Sequence, residues 1–182
     1  VSATQPVFYY DLGSPACYLV AEQIMAVLPV VPEWEPVLAG AAPARDRAEI
    51  EALAGTLGLQ PLRWPARWPP DSRTAMLAAT YAKRIGRAVA FSLAAFRQAF
   101  AGGRDLGDED TVLIAGAACE MHPTAILKGI SLRSVQDALR EAGDRAAAAG
   151  VRALPAIQVG PRVFEGLSSV QSAASALGAT RG

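Results

Sequence analysis

The sequence is poor in the residues that most often carry chemistry. It has 2 cysteines and 1 histidine. Cys17 and Cys119 lie far apart in unlike contexts, which argues against a disulfide scaffold and fits a reducing, cytoplasmic setting. His122 stands directly before Pro123, where a helix cap is a better reading than a general base. No cluster of metal-ligand type occurs, so no metal is expected. Lysine is confined to Lys83 and Lys128, and the 17 basic residues balance 17 acidic ones to a formal charge of zero. Without a basic stripe interleaved with aromatics, nucleic acid is excluded as a partner. No apolar run approaches the ~20 residues needed to cross a bilayer, so no membrane partner is expected. The opening residues VSATQP lack a basic region followed by an apolar one, and no signal peptide is read there.

What the chain does have is apolar residues, 52% of 182. That suffices for one domain, or for one domain carrying a large insertion. Its organising stretch is VFYYDLGSPACYLVAEQI, residues 7 to 24. Val7 to Tyr10 reads as a buried strand. Asp11, Leu12 and Gly13 break the run, and Ser14-Pro15 is a helix start: a serine oxygen to accept free N–H groups, then a proline with none to offer. Cys17, Val20, Ala21, Ile24, Val27 and Leu28 recur at helical spacing. Ser14 thus stands where N–H groups and the positive end of a helix dipole converge, a place that stabilises an anion such as a thiolate. An ordinary cap is the simpler reading of that serine.

Val30 to Leu38 predicts a second strand, anchored by Val31, Trp34 and Val37 and placed at an edge by Pro32 and Pro36. Strand, helix, strand makes a right-handed crossover unit. Helical patterns then fill about a hundred residues. The first, Pro43 to Leu57, stops at Gly58. The proline-rich 59–72 holds Trp64 and Trp68, which either pack on a core edge or wall a cleft. Asp71 or Ser72 caps a helix through Met76 and Ile85. Another carries the stripe Val89, Leu93, Phe96, Phe100. Asp108 or Asp110 caps the next, through Leu113 and Ala117 to Met121. Ser131 caps the last, with Leu132, Val135 and Leu139 inward, ending at Gly150. Val151 to Glu165 returns as a hairpin around Gly160-Pro161, and Leu167 to Leu177 closes the chain as a helix. The fold class is α/β, with segments 1–40 and 150–182 forming one β-α-β … β-β-α unit around an all-helical insertion, 41–149.

That order is the thioredoxin arrangement, in which a cis-proline faces the first helix, and Leu154-Pro155 occupies its place. The segments YYDLGSPACYL (9–19), Trp64 to Met76 and GVRALPAIQVGPRVFEG (150–166) resemble the DsbA-like branch of thioredoxin folds. Within it they are most similar to 2-hydroxychromene-2-carboxylate isomerases and kappa-class glutathione transferases. The resemblance implies a small-molecule substrate and glutathione, or another low-molecular-weight thiol, as cofactor. It gives Ser14 the task of holding the thiolate, with Cys17 beside it as a second catalytic candidate or as a core residue. Pro15, Leu154 and Pro155 would bind the cofactor. So would Ser168 and Ser169, which stand where relatives carry an Asp-Arg pair for the glutathione amine. Trp64, Trp68, Asp71 and Arg73 are the substrate-side candidates, though Asp71 also suits a cap and Arg73 a solvated surface. A homodimer is a further expectation from relatives. Because Ser14 stands where disulfide oxidoreductases carry cysteine, dithiol cycling is not expected. A monothiol oxidoreductase using Cys17 and a non-enzymatic thioredoxin-like module remain the other readings.

Overall fold

The apolar run near the start of the chain becomes the centre of a sheet. A computed structural model describes residues 5–39 and 47–179, and in it β1 (Val7–Tyr10) is flanked on both sides. On one side β2 (Glu33–Pro36) runs parallel, with Tyr10 opposite Pro36. On the other, β3 (Ala156–Val159) runs antiparallel, with Tyr9 opposite Ala156, and β4 (Arg162–Glu165) pairs with β3 as a hairpin. The order β2-β1-β3-β4 leaves β2 at an edge, where its prolines are tolerated. Between β1 and β2 the crossover helix α1 (Pro15–Val27) starts as its sequence predicts, with Ser14 as N-cap and Pro15 in the first turn.

Among the described residues, six helices separate β2 from β3: α2 (Arg47–Thr56), α3 (Arg73–Arg84), α4 (Ala88–Phe100), α5 (Glu109–Ala117), α6 (Pro123–Ser131) and α7 (Arg133–Ala148). A last helix, α8 (Ser169–Ala179), follows the hairpin. The fold is therefore the thioredoxin-like arrangement with a helical insertion. The sheet residues Phe8, Tyr10 and Trp34 share one apolar cluster with Met76 of α3 and with Phe91, Phe96 and Phe100 of α4. Tyr10 and Ser92 join the two parts by a hydrogen bond of 2.6 Å between their hydroxyls. Glu35 of β2 accepts from Lys83 of α3 at 2.6 Å and from Arg145 of α7 at 3.3 Å, so both helices are also tied to the edge strand by charge.

Several local expectations need correction. The second strand is shorter than Val30 to Leu38, and Val31 is 61% exposed, because regular pairing begins only after Pro32. Val27 closes α1 and is exposed, not core. Ser131 does not cap α7: it ends α6 and donates its hydroxyl back to the Lys128 carbonyl at 2.8 Å. Leu132 takes the N-cap position with no side-chain bond and is 47% exposed. In α4 the buried face is carried by Phe91, Ala95, Phe96, Ala99 and Phe100, with Val89 and Leu93 at its margin. The fifth helix stops at Ala117, not Met121, because Glu120 takes a positive φ of 61° and the Met121 N–H turns back to the Gly116 carbonyl, a left-handed helix stop. Asp108 rather than Asp110 caps it, and His122 caps α6 through Nδ1. The boundary expected at residue 40 and the helix start expected at Pro43 lie outside the described residues.

Candidate functional site

Everything that points at Ser14 begins at the C-terminal end of β1. The loop Asp11–Gly13 lifts the chain from strand to helix, and the Ser14 N–H closes it by donating to the Asp11 carbonyl at 3.1 Å. Ser14 is 8% exposed, and its Oγ accepts the Cys17 N–H at 3.2 Å. A hydroxyl has one proton to give and two lone pairs to accept with, so this cap leaves its proton for a further acceptor. In the first turn Pro15 has no N–H, and the Tyr18 N–H is taken by the Ser14 carbonyl. What remains is a serine O–H at the positive end of a 13-residue helix, suited to hold an anion.

The loop is held from below by a residue not singled out in the sequence. Asp11 is 4% exposed. One carboxylate oxygen accepts the Gly13 N–H at 2.8 Å, and the other accepts the Ala39 N–H at 3.0 Å. The Ser72 hydroxyl is a third donor. Asp11 thereby pins the Ser14 loop to the exit of β2 and to the start of α3. Burial pushes its carboxyl above the usual range, against the pull of the three donors. Gly13 allows the approach: a Cβ there would stand 3.2 Å from the Ser72 Cβ and 3.3 Å from the Asp11 Oδ1. The signal that could have found this was local, since an Asp two residues before a Gly is an Asx-turn pattern. Its two distant partners left no mark in the pattern.

The second wall is the cis bond Leu154–Pro155. Extending the register past Tyr9 and Ala156 sets Pro155 opposite Tyr10, at the root of the Ser14 loop. The loop before it is fixed by Glu165, whose Oε1 accepts the N–H groups of Arg152 and Ala153. The Pro155 carbonyl accepts the Gly166 N–H at 2.9 Å, and the Gly166 carbonyl accepts the Ser169 N–H at 3.1 Å. Ser169 thus reaches the cis-proline through two hydrogen bonds, with Ser168 beside it. Ser168 is exposed, whereas Ser169 is 1% exposed, and its hydroxyl has no partner among the described residues.

The other candidates are placed differently. Cys17 is 0% exposed and belongs to the main core cluster. Cys119 is also buried, its thiol pushed up by burial and directed to the carbonyls of Ala115 and Gly116. Trp64 and Trp68 meet edge to face at 5.1 Å, and each lies 6.3 Å from Phe100. The guanidinium of Arg47 covers both rings, and Trp64 Nε1 donates to Glu51 at 2.6 Å. Both indoles therefore clasp α2 to the end of α4. Asp71 is exposed and accepts the Arg73 N–H, completing the start of α3 while the Ser72 hydroxyl serves Asp11. The Arg73 side chain is exposed and lines a cavity between α3 and α7.

A family model described as the DSBA-like thioredoxin domain matches residues 7–178. Among solved structures, a 2-hydroxychromene-2-carboxylate isomerase is similar with a TM-score of 0.85 and 18% identity, over 98% of this chain and 96% of that one. A probable DsbA oxidoreductase from Streptomyces coelicolor gives 0.79 at 17% identity, over 97% and 89% of the two chains. The cytosolic disulfide reductase DsbM from Pseudomonas aeruginosa, solved with GSH, gives 0.71 at 13% identity, over 97% and 98%. At such identities the likeness is one of fold. No curated protein matches the sequence.

Proposed function

The chain belongs to the family of DSBA-like thioredoxin domains, and from that premise we propose that it is a thiol-dependent isomerase of a small conjugated or aromatic carbonyl compound. The cofactor is glutathione or another low-molecular-weight thiol. The observation that carries this reading is the Ser14 hydroxyl, standing at the N-terminus of α1 where a redox-active relative needs a cysteine. Serine cannot form a disulfide, but it can donate to a thiolate and hold it ionised near neutral pH. The enclosure of Cys17 favours this over an oxidoreductase working through that thiol, since an enclosed thiol is not offered to a disulfide arriving from solvent.

The residues fit such a thiol at two of its ends. Ser14 would hold the sulfur. The backbone of Leu154, next to the cis-proline, would pair with an extended chain, and the exposed Ser168 hydroxyl before α8, rather than the enclosed one of Ser169, would donate to a carboxylate. At the amine end no carboxylate is present in Gly166 to Ser169, and nearby Glu165 is engaged by backbone N–H groups. The missing charge-assisted bond is worth about 1.5–3 kcal/mol, so glutathione would bind more weakly here than at a site that keeps a carboxylate for its amine. Bound there, a thiol would supply the nucleophile for reversible addition to the conjugated system, and Ser14 would hold its sulfur ionised. A reducing compartment suits these roles.

The test is calorimetric titration with reduced glutathione, alongside the variant Ser14→Ala. Binding that weakens about tenfold or more in the variant, the scale of a charge-assisted hydrogen bond, supports the assignment. Equal binding by both proteins removes Ser14 from the thiol site. Absence of binding at millimolar concentration retires glutathione as the cofactor.

A further inference from the structure

Two side chains from the start of α3 reach the loop beneath Ser14. Ser72 and Met76 are joined by a bond from the Met76 N–H to the Ser72 carbonyl at 2.8 Å, so both project from one face of the helix. Ser72 occupies the N-cap of α3, yet its side chain makes no capping bond. A capping serine ordinarily satisfies a free N–H of its own first turn. Here the hydroxyl is given to the Asp11 carboxylate instead, and Asp71 takes the Arg73 N–H. Met76 is fully enclosed, and its Sδ accepts the Leu12 N–H at 3.2 Å.

Sulfur is a weak acceptor, but Leu12 is fully enclosed too, and a buried N–H without a partner is costly. An aliphatic residue of the same size at 76 would fill the space and leave that donor unmet. With this bond each N–H from Leu12 to Ser14 is committed. Leu12 donates to Met76, Gly13 to the Asp11 side chain at 2.8 Å, and Ser14 to the Asp11 carbonyl at 3.1 Å. The contact is close as well as polar: a Cβ on Gly13 would stand 3.2 Å from the Ser72 Cβ and 3.4 Å from the Pro70 Cγ. The three residues that lead into α1 are therefore fitted to α3.

We propose that Met76 and Ser72 are positioning residues for Ser14, acting through Leu12 and Asp11 to fix where its hydroxyl stands at the head of α1. Their use to the site rests on the thiol reading, in which that hydroxyl must meet a sulfur. The clamp itself belongs to the protein alone and is tested without a ligand.

The test is amide hydrogen exchange of Met76→Leu, a swap that conserves core volume. The Cys17 N–H is the reporter, because Ser14 Oγ holds it at 3.2 Å. Exchange is expected to quicken about tenfold or more at Leu12, Gly13 and Cys17, beyond the change common to all amides that urea unfolding measures separately. Ser72→Ala should do the same at Gly13 and Cys17. A Cys17 N–H that exchanges as in the parent in both variants, or follows only the global change, makes Ser72 and Met76 packing residues and overturns the proposal. Glutathione titrations of Met76→Leu, Ser14→Ala and the double variant then close a cycle. Weaker binding in Met76→Leu that disappears on the Ser14→Ala background is expected, whereas additive losses overturn action through Ser14. If the parent protein does not bind glutathione, the thiol reading falls, and the exchange result alone decides the clamp.

Discussion

Asp11 is an acid enclosed among neutral donors, and this gives the loop beneath Ser14 a pH dependence of known sign. Its carboxyl is pushed up by burial, so the folded chain binds that proton more tightly than the unfolded chain does. The resulting stabilisation is full below the ordinary aspartate value of about 3.9 and is lost as pH rises through the raised one. Asp11→Asn lacks this titration. It also turns an NH₂ group toward one of two backbone N–H donors, at a cost on the order of 1–3 kcal/mol. The variant should therefore be less stable than the parent, with the gap widest at acidic pH and narrowing toward neutrality. Urea midpoints across that range measure it, and a gap that grows with pH would contradict the assignment. Residues whose roles are local could be read from sequence: Ser14 and Asp108 as caps, His122 as the cap before Pro123. Asp11 could not, because its partners Ala39 and Ser72 lie 28 and 61 positions away.

Helix contacts are set by where side chains are missing as much as by where they are large. Gly129 of α6 faces the Tyr81 ring of α3, and a Cβ there would stand 2.5 Å from the ring's Cγ. Gly129→Ala should cost about 1–3 kcal/mol by forcing the two helices apart. Gly55, on the exposed side of α2, meets nothing within 4 Å. Gly55→Ala should stabilise by roughly 0.5–1 kcal/mol. Opposite signs in chemical denaturation would establish the contrast. Neither position differs from the other in sequence pattern. Periodicity located the helices, and Gly86, Gly103 and Gly150, all at positive φ, stop three turns between them. Which face of each helix is deepest depends on its neighbours. For that reason Val89 and Leu93, though spaced as a core stripe, lie at the margin while Phe91 carries the burial.

The sheet and the helical insertion share a main cluster of side chains, a second one joins Tyr9 and Ala156 to Ala142 and Ala146 of α7, and the Glu35–Lys83–Arg145 network binds α3 and α7 to the edge strand. Both clusters draw on residues of the sheet and of the insertion. Calorimetry should therefore record one transition whose calorimetric and van't Hoff enthalpies agree, and a separate transition for the insertion would refute this. The order of elements was legible because strand alternation, turn residues and caps are short-range signals, whereas the cis-proline site followed from the resemblance to thioredoxin folds. The cavity between α3 and α7 was not, because Leu38, Arg73 and Gly143 meet only in the fold. The sheet also ends in strands poorly suited to extension. β2 is four residues long, preceded by Pro32, ended by Pro36 and carrying Glu33 on its exposed margin; β4 is equally short and runs from Arg162 to Glu165. Proline withholds a donor, and charge resists the approach of another strand. The sheet therefore gives a second copy little to pair with, and crowded copies of this chain are poor templates for cross-β growth.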